Sequence, residues 1–231
     1  MNDHKKFVKE YSKLGINDSF YLAYRDIPNL IKKYIKGKKA LDFGCGGGRS
    51  TRFLKKLGFE VVGVDKSVDM IKEAKKKDNK AGYYKVENGK LPFKSWFFDL
   101  ILAAIVFLEI PTKKEMIKIL KKLKKTLKNN GTIIIVTGTP EAYKNNWASF
   151  ICDFSENKNL KSGDKARIQL RGTDASMYDY VWFDDDYKDI FNKAKLEILE
   201  TLKPMPRGDE PYKWYSEINK PLWVIYVLRK K

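Results

Sequence analysis

The stretch Ala40-Leu41-Asp42-Phe43-Gly44-Cys45-Gly46-Gly47-Gly48-Arg49-Ser50-Thr51 holds the most specific chemistry in the chain. Glycines between an apolar strand and a helix start let the backbone approach a bound molecule closely, and predict unpaired amide donors facing it. The spacing is G-x-G-x-G with an acid, Asp42, two places before it. A dinucleotide fingerprint wants its third glycine three places after the second, where Arg49 stands instead. The lysine and hydroxyl pattern of a phosphate loop is also missing. Further carboxylates follow at Asp65, which closes the run Glu60-Val61-Val62-Gly63-Val64-Asp65, and at Glu87 and Glu109. The single histidine, His4, and the two separated cysteines, Cys45 and Cys152, make neither a metal ligand set nor a disulfide framework. No metal is expected, His4 reads as a disordered tail residue, and Cys45 reads as a small packing residue.

These residues are positioned by a regular alternation of elements. A helical region is predicted over Ser19 to Ile35, then a strand from Lys38 to Phe43 running into the glycines, and a helix from Arg49 to Leu57. Strands follow at Glu60 to Asp65, Gly82 to Glu87 and Asp99 to Ala104, with a helix at Val68 to Lys77 between the first two. The amphipathic helix Lys113 to Lys128 is expected to stop at Asn129-Asn130-Gly131, residues tolerant of left-handed backbone, before the β-branched strand Thr132 to Thr137. Residues 140–180 break this rhythm. A helix at Asp185 to Lys193 and strands at Leu196 to Leu202 and Leu222 to Leu228 complete the chain. The segment joining those two strands contains Pro204, Pro206, Gly208 and Pro211 and no helical pattern, so the last strand is expected to be antiparallel. The fold class is α/β: a Rossmann-like, doubly wound, mostly parallel seven-stranded sheet in one domain. Residues 1–37 form a helical cap, 38–139 the cofactor-binding core, 140–180 a substrate-capping insertion, and 181–231 a closing helix and strand pair.

From Lys38 to Thr139 the sequence resembles the class I S-adenosylmethionine-dependent methyltransferases, in the small-molecule group that carries L-D-x-G-C-G-x-G. The resemblance implies S-adenosyl-L-methionine as cofactor. Its methionine end offers an ammonium and a carboxylate and no pyrophosphate, which suits a turn flanked by an acid. By this resemblance Asp42 helps place the ammonium, and Gly44, Cys45, Gly46 and Gly48 form the floor. Asp65 takes both ribose hydroxyls, Lys66 and Met70 flank the adenosine, and Ala104 adds to the wall. Glu87 stands where the family usually has Asp for the adenine amino group, with Asn88 as the neighbouring backbone contact; the arm is one methylene longer than the pattern. Glu109, in Phe107-Leu108-Glu109-Ile110-Pro111, lies where relatives often carry histidine. It is the candidate catalytic residue, and equally a helix-start charge near Thr112.

Methyl transfer from a sulfonium has an activated leaving group, so a protein mainly has to align the partners and exclude water. The acceptor pocket is expected to draw on Tyr21, Tyr24, Arg25, Trp147, Tyr178 and Trp214, with Tyr11 among the further aromatics, because aromatics stack on planar rings or surround cations. The insertion and the segment 203–220 are expected to close as a mobile lid, with 155–173 its most exposed part. Of 231 residues 43% are hydrophobic and 13% aromatic, enough for a core, and the longest apolar run, Leu100 to Leu108, is too short to span a bilayer. A cytoplasmic protein without a membrane or obligate protein partner is expected. The net charge of +18 invites nucleic acid, but only seven of the 47 basic residues are arginine, the better reader of phosphates and bases. The leading reading is a methyltransferase acting on a small molecule. An RNA or tRNA methyltransferase, or a cofactor-binding subunit without its own acceptor pocket, are the alternatives.

Overall fold

The computed structural model describes residues 2–87 and 91–231. The chain opens with α1 (Asn2–Lys13), α2 (Ser19–Tyr24) and α3 (Ile27–Tyr34), then alternates β1 (Lys39–Phe43), α4 (Arg49–Lys56), β2 (Glu60–Asp65), α5 (Val68–Lys77) and β3 (Gly82–Lys85). After β4 (Phe98–Ala104) come α6 (Lys113–Thr126) and β5 (Leu127–Gly138). The insertion carries β6 (Phe150–Ile151), β7 (Lys165–Leu170) and β8 (Ser176–Tyr180), and α7 (Asp184–Lys193), β9 (Leu196–Leu202) and β10 (Trp223–Lys230) close the chain.

Local chemistry accounts for several of these boundaries. Ser67 caps α5 by accepting from the Met70 amide at 3.2 Å, and Thr112 caps α6 by accepting from the Glu115 amide at 3.1 Å. Met116, Leu120 and Leu123 recur at helical spacing on α6 and are buried, while Lys114, Lys118, Lys121 and Lys125 face outward. The predicted single helix over Ser19 to Ile35 is broken in two. Pro28, in the first turn of α3, lacks an amide and favours a fresh helix start over continuation from α2. The helix α1 replaces the disordered tail expected around His4. The left-handed stop at Asn129-Asn130-Gly131 does not occur: α6 ends at Thr126 and the chain enters β5 directly, without a positive φ at those residues. Gly131 is instead required by crowding, since a Cβ there would lie 2.7 Å from Leu127 Cδ1 and 3.1 Å from the Phe98 carbonyl oxygen.

The seven strands are ordered β3-β2-β1-β4-β5-β10-β9. The first five run parallel, and β10 is antiparallel to both β5 and β9, as the segment without a helix implied. Side chains alternate across the sheet. Leu100, Leu102, Ile134, Val136, Ile225 and Val227 pack on the face covered by α2, α3 and α4. Ile101, Ala103, Ile133, Ile135, Val224 and Tyr226 pack on the face covered by α6 and α7. Both faces are therefore buried, as a parallel sheet requires. The chain builds outward from β1 to β3 and then restarts at β4 on the other side of β1. This reversal leaves a crevice at the carboxyl ends of β1 and β4, where open α/β sheets bind ligands.

The insertion is a three-stranded antiparallel sheet, β6-β7-β8, fused to the core. Asn157, expected in an exposed turn, is 1% exposed; its amide donates to the Cys152 and Arg167 carbonyls at 2.7 and 2.8 Å and its oxygen accepts from the Arg167 amide. The late segment is pinned as well. Buried Glu217 accepts from Ser19 Oγ at 2.6 Å and from the Ala148 and Tyr215 amides, joining α2, the insertion and this segment at one carboxylate. These bonds tie the insertion and the late segment to the core at Asn157 and Glu217, while Lys158, Asn159 and Lys161 stand exposed as expected of a turn.

Candidate functional site

A cleft of about 740 Å3 opens at the crevice between β1 and β4, within the roughly 300–1,000 Å3 usual for ligand pockets. Its floor is the turn after β1. Gly44, Gly46 and Gly48 all have positive φ (73°, 49° and 77°), which gives the chain its tight reversal into α4. A Cβ on Gly44 would lie 2.4 Å from Val106 Cγ2, and one on Gly48 would lie 2.5 Å from the Tyr83 hydroxyl. Four amides of this turn are engaged rather than free, unlike what the glycine pattern suggested. Gly44 and Cys45 both donate to the Val64 carbonyl, at 2.8 and 3.0 Å, Gly48 donates to Cys45, and Gly46 donates to Asp65. The turn therefore acts by shape, stitched to the end of β2.

Asp65 is the hub of that stitching. Its Oδ2 accepts from the Gly46 amide and its Oδ1 from the Ser67 amide, each at 2.8 Å. Each oxygen keeps a second lone pair, so the carboxylate can still take two hydroxyl donors from the cleft it lines. Burial raises its pKa against these amide bonds. Asp42 lies beneath the turn and outside the cleft lining. It is fully buried, its Oδ2 accepting from Ser50 Oγ at 2.7 Å and Thr51 Oγ1 at 2.5 Å, while its Oδ1 has no partner among the described residues. Burial pushes its carboxyl up to about 6, against the pull of the Thr51 and Ser50 hydroxyls.

Of the other residues singled out for the cofactor, Gly44, Cys45, Gly46, Lys66, Met70, Glu87 and Ala104 line the cleft with Asp65. Gly48 does not; it makes room for Tyr83. Cys45 is a buried free thiol whose pKa burial drives well upward, in keeping with a packing role. Asn88 lies outside the described residues. Glu109 also lines the cleft, paired with Lys66 Nζ at 3.0 Å across its rim.

Two of the six residues expected at the acceptor, Tyr24 and Tyr178, line the cleft; the other four do not. Trp147 is wholly buried in the insertion, its indole donating to the Ala142 carbonyl at 2.7 Å. Arg25 holds the late segment through the Met205 carbonyl at 2.9 Å and Glu210 at 3.1 Å, besides its neighbour Asp26. Tyr21 and Trp214 both pack on Tyr212, with ring centroids 5.2 and 5.3 Å away. Large aromatics are buried for packing far more often than for recognition, and composition cannot separate the two.

Tyr11, an aromatic also expected at the acceptor pocket, lines the cleft from α1. Beside it stand walls that motif reading missed, Phe7, Val8 and Ser12 from α1 and Ser176 and Met177 from β8. The spacing Phe7, Val8, Tyr11 was the available signal, one apolar stripe at helical period. Arg49 joins them, its guanidinium donating to Tyr11 Oη at 2.8 Å and lying 3.7 Å from the centre of the Phe20 ring. Ile105, after β4, has φ of 61°, a left-handed conformation that a β-branched residue rarely adopts. Its amide is fixed on the Val136 carbonyl at 2.8 Å, so the surrounding sheet sustains the strain at the cleft wall.

The arrangement matches known proteins in the same place. Residues 41–135 match the family described as "Methyltransferase domain". An uncharacterized protein of Methanocaldococcus jannaschii, MJ1252, is 35% identical over 133 residues, covering 57% of this chain and 48% of the relative. The chain spans about half the length of the curated relatives it matches. Among solved structures, the PH0226 protein of Pyrococcus horikoshii superposes with a TM-score of 0.67 at 20% identity, over 96% of this chain and 99% of that one. A SAM-dependent methyltransferase of Methanosarcina mazei superposes at 0.65 and 17% identity, over 87% and 96%. These likenesses carry the fold, and the domain match places the β1 turn and the ends of β2 and β4 within it. Residues 41–135 match a methyltransferase domain, and the chain shares the fold of S-adenosylmethionine-dependent methyltransferases of known structure.

Proposed function

We propose that the chain transfers a methyl group from S-adenosyl-L-methionine to a small-molecule acceptor by in-line displacement. The observation that carries the reading is Asp65: a carboxylate at the end of β2, locked by two backbone amides, with one lone pair on each oxygen left for the cleft. In this reading Asp65 takes the two ribose hydroxyls, Lys66 and Met70 flank the adenosine, Glu87 accepts from the adenine amino group, and Ala104 bounds the ring's other side. The unpartnered Oδ1 of Asp42 is a buried acceptor next to the turn, suited to an ammonium. The cofactor supplies an electrophilic methyl on a sulfonium.

The protein's own part is placement. Walls from α1 and β8 hold the acceptor and keep water out, and Glu109, tied to Lys66 at the rim, orients charge at the entrance. Calorimetric titration with S-adenosylmethionine tests the reading directly, with micromolar binding expected. Asp65→Ala should weaken it at least about tenfold, because a hydrogen bond to a charged group is worth roughly 1.5–3 kcal/mol. Unchanged affinity in a folded variant would remove the observation on which the reading stands.

A further inference from the structure

Behind the cleft lies a second, smaller chamber of about 60 Å3. It shares Phe7, Tyr11, Met70, Ile105, Glu109 and Met177 with the cleft, so the two adjoin along one wall. Its far side is apolar, made by Tyr143, Phe150, Leu170 and Trp223 among others, and its lining includes no lysine, arginine or histidine. One buried polar side chain stands out there. Asp179, on β8, is 3% exposed, and its Oδ1 has no hydrogen-bond partner among the described residues. Burial and then the neighbouring charge of Glu109 push its carboxyl well above the usual carboxylate range. An unpartnered acid in an apolar chamber is costly to fold, and such groups call for a ligand that completes them.

We propose that this chamber is the acceptor subsite, with Asp179 the residue that anchors an uncharged hydroxyl on a compact apolar body. This inference rests on the methyltransferase reading of the adjoining cleft. A hydroxyl can donate to the unpartnered Oδ1 of Asp179 without bringing a charge into the chamber. An anionic acceptor finds no basic side chain in the chamber lining to pair with, since Lys66, which pairs with Glu109, lies in the cleft outside it. The chamber is smaller than the roughly 150 Å3 apolar cavity that holds a whole benzene. It therefore takes the hydroxyl-bearing edge of a ring, while the rest lies in the cleft toward the end of β4, where Ile105 and Met70 are common to both spaces. Asp179 is a binding residue in this scheme, setting which acceptors enter.

The test uses phenol, toluene and benzoate as probes on the full chain saturated with S-adenosylhomocysteine, with binding followed by ligand-observed NMR. The wild type should bind phenol at least about tenfold more tightly than toluene and should not bind benzoate. Asp179→Leu should lose that preference and favour toluene, and Asp179→Asn, which keeps hydrogen-bonding capacity, should retain phenol binding within about threefold. Equal binding of phenol and toluene by the wild type, or a phenol preference that survives Asp179→Leu, overturns the proposal; the first comparison needs no variant to fold. A parallel titration with S-adenosylhomocysteine separates the two readings. If the wild type fails to bind it, the methyltransferase reading has failed; if it binds and phenol shows no preference, only the acceptor subsite has.

Discussion

Replacing Asp42 by asparagine removes one ionisation from the centre of the sheet and keeps the shape. Asp42 is fully buried, and burial lifts its carboxyl from 3.8 to about 6 although Thr51 and Ser50 both donate to it. A carboxylate with a raised folded pKa binds its proton more tightly in the folded chain than in the unfolded one. Its contribution to stability is therefore complete below pH 4 and declines as the pH climbs to about 6 and beyond. At about 1.4 kcal/mol per pH unit, ionised Asp42 costs the free protein roughly 3 kcal/mol at pH 7. The side-chain amide of the Asp42→Asn variant has no such titration. Urea unfolding of both proteins from pH 4 to 8 should show the variant gaining on the wild type by roughly 2–3 kcal/mol between pH 4 and 7, whatever the offset at pH 4 from swapping a carboxyl for an amide. If an ammonium is what Asp42 awaits, S-adenosylmethionine affinity in the wild type should also rise across that range, and the variant should lack the rise. Stability differences that stay parallel from pH 4 to 8 would refute the argument, since they would mean that Asp42 titrates alike in the folded and unfolded chain.

Gly48→Ala places a Cβ at φ of 77° and 2.5 Å from the Tyr83 hydroxyl, so with about 1–2 kcal/mol for the left-handed backbone the melting temperature should fall by roughly 3–8 °C; a change of about 1 °C or less would mean that the turn relaxes. Glu109→Gln breaks a rim ion pair whose lysine is largely exposed, so the unfolding free energy should move by less than about 1 kcal/mol, and a larger loss would give Glu109 a structural role the geometry does not show. Limited proteolysis should not begin in 155–173, because Asn157 and the β7–β8 pairing hold that region closed; early cleavage there would favour the mobile lid. Bulk tRNA should bind weakly and be released by modest salt, as expected of lysines set on outer helix faces such as that of α6; a tight complex with a steep salt dependence would favour an RNA acceptor.

The parts of this fold that could be read in advance are those whose signals are local. The strand Glu60–Asp65, the helix Val68–Lys77 and the strand Leu196–Leu202 each carry their own periodicity and end at the residues expected. The glycine turn could be located for the same reason, although its amides proved to be engaged by Val64 and Asp65, a tertiary arrangement that spacing alone does not encode. The helix α1 was missed because its stretch is dense in charge and owes its place to packing on α5 and β8. Trp147, Tyr21 and Trp214 lie outside the cleft lining for the opposite reason: they have the right chemistry, but only the packed chain decides whether a ring faces a ligand or a neighbour. Asp179 shows what a more telling signal looks like. On β8 the alternation is inverted, with Tyr178 pointing outward at 55% exposure and Asp179 inward at 3%. A strand that leaves its aromatic exposed on the cleft and turns its acid to the core works against its own patterning, and such local conflicts are tolerated mainly where function requires them. Had the short strand been placed correctly, that inversion would have pointed to the acid before any cavity was seen.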